Sequence, residues 1–284
     1  MYILILLVIC ICLFMYHYNN TKKENFKVIN KLQIIVTMYN PKPEYLMKCL
    51  KSIESQTFKF FNLCIIDDKS DDEYIEDYRE ILGVYCKKNS WKKILAPENK
   101  GPLVSRMKCI KALYPSDDDI IVSIDGDDEL YNSNVFETIN DHYQDDTMLT
   151  FGNYVNRING ELIDIPKYNC KKREQTFKIM KKKNKFRTKW IFSHLKTFKF
   201  KLYKNIKDKD LRDTNNNYYK SATDLAIMYP MLEMCGGKFK CINDPLYIYN
   251  KSHPESNHNQ HSKKKLQIDN GKEIKKKKPY NAIF

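Results

Sequence analysis

The residues best equipped for chemistry are acidic and sit at the ends of apolar runs. Asp125-Gly126-Asp127-Asp128 follows DIIVSID at 119–125, and Asp67-Asp68-Lys69-Ser70-Asp71-Asp72 follows LCIID at 63–67. Three carboxylates within four residues repel one another, and a divalent cation that prefers oxygen removes that conflict. Such an ion would bridge one or two carboxylates to phosphate oxygens. Gly126 would let the backbone come close to a ligand. An Asp-rich surface turn is the plain alternative, and Asp-x-Asp alone has little specificity. Its place at a strand end, with a second acidic strand end beside it, favours a binding site.

The elements that must position these acids alternate. QIIVTM at 33–38, LCIID at 63–67, KKILA at 92–96 and DIIVSID at 119–125 read as strands. Their near-continuous apolar character fits parallel strands covered on both faces. Between them, a helix opening at Pro43 carries Leu46, Cys49, Leu50 and Ile53, and PLVSRMKCIKALY carries Leu103, Met107, Ile110 and Tyr114. The first 130 residues therefore read as an α/β nucleotide-binding half whose ligands bind beyond the strand ends. The second half is less regular. MLTFGNYV at 148–155 reads as a strand, 156–190 as a polar Lys-rich loop or insertion, and 191–206 as a helix with Leu195, Phe198, Leu202 and Ile206 on one side. DLAIMYPMLEMC at 224–235 reads as a helix kinked at Pro230 and stopped by Gly236-Gly237, followed by short strands at 238–250.

With five of these segments in order, the chain resembles glycosyltransferase family 2. The resemblance covers about residues 32–256 and rests on IIVTMYN, LMKCLKSIESQTF with Ser52 and Gln56, IIDDKSDD, NKGPLVSR and SIDGDDEL. It implies a GT-A fold, a Rossmann-like open mixed sheet flanked by helices. It also implies transfer of a sugar from a nucleotide-diphosphate sugar, UDP being favoured, to an acceptor hydroxyl with inversion. Carried over by position, Tyr39 would contact the base with Thr37 nearby, and Asp68 would accept from a base N–H. Arg106 would sit near the donor and its acids, and Asp125 would approach the ribose or sugar. Asp127 and Asp128 would hold Mn2+ or Mg2+ on the diphosphate. Asp224 would be the general base, although Thr223 precedes it where the family often has Glu; a helix N-cap is its ordinary structural role. His194 could serve core, donor or acceptor, and His253 or His258 could reach the diphosphate or metal.

The chain has 284 residues and a formal net charge of +14, with lysine runs at 171–172, 181–183, 263–265 and 275–278. Such a surface suits polyanions, and a membrane-tethered basic binding protein for nucleic acid or anionic lipid is the competing reading. The lysine runs carry no recognised nucleic-acid motif, so no nucleic-acid partner is expected. Residues 1–18 read as a transmembrane anchor; its apolar run 2–18 spans about 25 Å as a helix. Residues 19–31 read as a linker, 32–256 as the catalytic domain, and 257–284 as a basic solvated tail. Lys22, Lys23 and Lys27 after the run suggest a single-pass protein with a cytosolic domain. Nine scattered cysteines, seven outside the anchor, read as reduced thiols and point the same way.

Overall fold

The computed structural model describes residues 27–167, 169–252 and 261–284. The apolar run 2–18, His253 and His258 lie outside them. No helix among the described residues is long and apolar enough to cross a membrane.

The first half is built as its sequence pattern requires. Strands β1 (Leu32–Met38), β2 (Phe61–Asp67), β3 (Lys92–Leu95) and β4 (Ile120–Asp125) pair in parallel, with β1 between β2 and β4. Alternation along β1 and β4 divides the core in two. Ile34, Val36, Ile120, Val122 and Ile124 face α1 (Pro43–Glu54), α2 (Ile75–Asn89) and α4 (Val135–His142). Ile35 and Ile121 face α3 (Pro102–Leu113) and α7 (Thr223–Met234). Thr37, Ser123 and Asp125 continue that second face by the same period of two, and Thr37 pairs with Asp125 in register.

Beyond β4 the sheet turns mixed. Antiparallel β8 (Lys196–Lys199) follows β4, then β6 (Leu149–Ile158), β9 (Phe239–Asn250) and β5 (Glu129–Leu130), while β7 (Glu161–Ile163) pairs with β6. β5 is four strands from β4 across the sheet, yet only Gly126–Asp128 separates them along the chain. The sheet must therefore curl, and the acidic turn closes the curl.

Several expectations are corrected. Residues 191–206 are not one helix. Leu195 enters one core and Phe198 the other, the alternation of strand β8, and only α6 (Phe200–Tyr203) is helical. The polar stretch 156–190 contains β7 and α5 (Cys170–Lys183), which buries Phe177 and Met180. The expected solvated tail carries α8 (His261–Lys276), with Ile274 1 % exposed. Cys170 and Cys241 form a disulfide joining α5 to β9, whereas Cys49, Cys64, Cys86, Cys109 and Cys235 are free and buried. The bond links residues 71 apart that topology alone brings together, and the thiol argument for a cytosolic domain loses that pair. Pro230 lies inside α7, and Gly236 and Gly237 follow at positive φ.

One buried ion pair ties the C-terminal segment to the core. Glu233 on α7 accepts from Arg187 Nε at 2.6 Å and Nη2 at 2.8 Å, and from the Tyr280 N–H at 2.9 Å. Arg187 also donates to the Ile274 carbonyl at 2.7 Å. Removing one member leaves the other charge buried and uncompensated. Arg187→Met should therefore cost about 3–5 kcal/mol in urea unfolding. A change below about 1 kcal/mol, the range of an exposed pair, would contradict this account of the docked tail.

Candidate active site

Four elements deliver charged side chains to one place. Asp125 ends β4, Arg106 lies in the second turn of α3, Lys196 opens β8 opposite Ser123, and Asp224 lies in the first turn of α7. Arg106 is 8 % exposed and joins the rest. Its Nη2 meets Asp125 Oδ1 at 3.1 Å, and its Nη1 donates to Thr223 Oγ1 at 2.9 Å. Nη1 also lies 3.3 Å from Asp224 Oδ1. Asp224 Oδ2 pairs with the Lys196 ammonium. Thr37 Oγ1 lies 3.4 Å from Asp125 Oδ1. Arg106, Asp125, Lys196 and Asp224 line a pocket of about 430 Å³, measured out to its solvent mouth, with Ile110, Phe198, Ile227 and Met228 as its apolar lining.

Asp224 is not an N-cap. Ala222 occupies that position in a left-handed conformation and no side chain caps the helix. Burial pushes the Asp224 carboxyl up, but the charges of Lys196 and Arg106 outweigh it and hold the group below the usual carboxylate range. His194 also lines the pocket, stacked on Tyr247 at 4.9 Å and Tyr249 at 5.5 Å. Burial, then the Lys196 charge, lowers its pKa to about 3, so the imidazole is neutral.

The acidic turn is locked from β9. The Tyr247 hydroxyl accepts from the Asp125 N–H at 3.0 Å, and the Asn250 N–H donates to Asp128 Oδ1 at 2.7 Å. Asp128 is 1 % exposed, and its Oδ2 has no hydrogen-bond partner. Burial, then the charges of Asp127 and Asp125, holds the Asp128 carboxyl well above its ordinary pKa. Asp127 and Asp125 are less deeply buried. This is a hard-oxygen donor set whose charges repel and which retains an unsatisfied buried oxygen, so it fits Mn2+ or Mg2+. Among the described residues no three Asp, Glu, His or Cys side chains form a ready cage. An ion shared with phosphate needs only one or two carboxylates.

The remaining expected donor residues line the neighbouring strand ends. Tyr39 follows β1 and is 39 % exposed. Asp68 is buried; its oxygens accept from the Lys100 N–H at 3.2 Å and the Gly101 N–H at 2.7 Å. Those bonds leave lone pairs for a base N–H. Asp67 caps its turn by accepting from the Ser70 N–H and hydroxyl at 2.9 and 2.6 Å.

Sequence reasoning missed Lys196 and gave no role to Tyr247 or Asn250, although YIYN at 247–250 resembles the family's closing Tyr-x-Tyr segment. It matched Ser52 and Gln56 without giving them work. Ser52 Oγ accepts from the Leu130 N–H at 3.0 Å. Gln56 donates to the Asn132 carbonyl at 2.6 Å and accepts from the Phe136 N–H at 3.0 Å. Together they pin the chain leaving the acidic turn. Ser52 lies in the last turn of α1 and Gln56 just past its C-cap Ser55.

The architecture is that of a nucleotide-sugar transferase fold, and the comparisons place it further. The family model described as "Glycosyl transferase family 2" matches residues 33–211, and the chain belongs to that family. An uncharacterized glycosyltransferase of Haemophilus influenzae is 30 % identical over 123 residues, 43 % of this chain and 46 % of that protein. The match thus spans under half of that curated relative's length. Staphylococcus aureus TarS 1–349 in complex with UDP-GlcNAc shares the fold at TM-score 0.58 and 18 % identity, covering 81 % of this chain and 61 % of that one. A mannosyltransferase of Pyrobaculum calidifontis in complex with GDP-Man and Mn2+ does so at TM-score 0.54 and 15 % identity, covering 95 % and 73 %.

Gly126 has a purely steric role at this turn. A Cβ there would stand 2.8 Å from Met38 Cβ and 3.3 Å from the Thr37 carbonyl. Gly126→Ala should cost about 1–3 kcal/mol by overpacking and disturb the turn. Gly83→Ala, with nothing within 4 Å of the new methyl on α2, should stabilise by about 0.5–1 kcal/mol. Thermal unfolding of both variants checks the contrast; equal effects would contradict it.

Proposed function

We propose that this protein transfers a sugar from a nucleotide-diphosphate sugar, UDP-linked by preference, to an acceptor hydroxyl with inversion at the anomeric carbon. Arg106 carries the reading, because one buried guanidinium draws Asp125 of the acidic turn and Asp224 of α7 into the same pocket. Family membership supports the reaction class, and the UDP-GlcNAc complex of the TarS neighbour supports the choice of nucleotide.

The base stacks on Tyr39 beside Thr37, with its N–H on Asp68. Asp125 and Arg106 meet the ribose or sugar. Asp127 and Asp128 hold Mn2+ or Mg2+; when bound, the ion offsets charge on the leaving diphosphate. Asp128, held by the Asn250 N–H at Oδ1, keeps its unpartnered Oδ2 for the ion. Asp224 accepts the proton of the acceptor hydroxyl as that oxygen attacks the anomeric carbon. The bond from that carbon to the diphosphate oxygen breaks, and its electron pair leaves with the nucleotide. Asp224 is ionised at neutral pH and its side chain is 34 % exposed, so an acceptor can reach it. The apolar run 2–18 tethers this domain to a membrane, with the domain on the cytosolic side.

Asp224→Asn should lower transfer by roughly 10²–10⁴-fold, as expected for a lost general base, while nucleotide binding persists. Full transfer by that variant would rule out Asp224 as base. Chelation should abolish activity and added Mn2+ or Mg2+ restore it; full turnover in excess chelator would end the metal-dependent reading. Acceptor assays on the folded Asp224→Asn variant and on the chelated parent protein, with UDP binding by the variant, provide these measurements.

A further inference from the structure

We propose that Lys196 is a dedicated positioning residue, holding the Asp224 carboxylate aimed at the acceptor, while Arg106 is shared between the acidic turn and α7. This rests on the reading of Asp224 as the general base.

Little else orients Asp224. Its own helix does not use it, because the helix has no side-chain cap and Ala222 is the N-cap residue. Its two oxygens are taken by two cations on two different elements: Oδ1 faces Arg106 on α3, and Oδ2 faces Lys196 on β8. A carboxylate gripped at both oxygens from separate, rigid elements cannot rotate about its terminal bond without breaking an ion pair. The two cations are not equivalent. Arg106 divides its donors among Asp125 at the end of β4 and Thr223 and Asp224 on α7, so it is shared between both halves of the site. Lys196 pairs with Asp224 alone among its described ion-pair contacts, while its ammonium lies 6.0 Å from the centre of the Trp190 ring.

Lys196 is also costly to bury. Its side chain is 9 % exposed, and an ammonium taken from water needs a paired anion to be tolerated. Strand β8 places it there by register. Lys196 lies opposite Ser123 on the face that carries Asp125, and Phe198 two residues on also lines the pocket. The groups facing Asp224 are the charged Lys196 from β8 and Arg106 from α3, and the neutral His194 from the segment before β8. Losing Lys196 removes the largest of the opposing charges. The carboxyl would then protonate at higher pH and turn more freely.

The test compares Lys196→Met, Lys196→Arg and Asp224→Asn in transfer assays across pH, with UDP binding in Mn2+ and thermal unfolding as controls. A misplacement of about 1 Å in a reacting group costs on the order of 10²-fold, so Lys196→Met should lower kcat by up to that factor. Donor KM and UDP affinity should stay unchanged. Sign matters for the pH profile. A base with a depressed pKa keeps its activity as pH falls, so removing Lys196 should move the acid limb of kcat to higher pH. Lys196→Arg keeps the charge and should restore the acid limb and most of the rate, even if the methionine variant proves too unstable to assay. An arginine variant that folds and binds UDP but shows the shifted limb would overturn the proposal. So would a folded methionine variant with unchanged kcat and acid limb while Asp224→Asn is inactive; that result would leave the base itself standing. Full transfer by Asp224→Asn would bring down both readings together.

Discussion

Arg106 cannot be moved without disturbing both halves of the site. It is buried, it ends β4 electrostatically through Asp125, and it reaches the start of α7 through Thr223 and Asp224. An uncompensated guanidinium in that position would be prohibitively expensive, so the three partners and the cation specify one another. The cost of assembling like charges is met in the same way throughout the pocket. Two carboxylates face two cations, and the nearby imidazole stays neutral.

The second constraint is topological. Only three residues join β4 to β5, although four strand pairings separate them around the sheet. Closing that path forces the sheet to curl and brings β9 against the acidic turn, where Tyr247 and Asn250 fix the Asp125 and Asp128 backbone and side chain. Ser52 and Gln56 hold the outgoing chain from the other side. The turn is thus rigid before any ligand arrives, which is what electrostatic preorganisation requires.

Much of this was legible from sequence because the responsible signals are local. Buried parallel strands read as unbroken apolar runs, α1 and α3 as stripes, and the acidic ends as clusters at the strand termini. What escaped notice depended on distant contacts. The segment around β8 mimics helical spacing through Leu195 before the strand, Phe198 within it and Leu202 in α6, and only the pairing of β8 with β4 and β6 decides otherwise. Helices α5 and α8 are lysine-rich and bury few side chains, so their stability comes from docking rather than pattern. Lys196 looked like one more solvated lysine in a chain rich in them. Its burial follows from register, and its partner lies 28 residues further on. The Cys170–Cys241 bond was hidden for the same reason.

The central claim is that this curled cleft breaks a nucleotide-sugar bond and passes the sugar on with inverted configuration. Proton NMR of the full-length protein incubated with Mn2+, a panel of UDP-sugars and simple acceptors follows the anomeric signals directly. The account predicts free UDP together with a product whose anomeric configuration is opposite to that of the donor. A product that keeps the donor's configuration, or no nucleotide release from any donor, would contradict it.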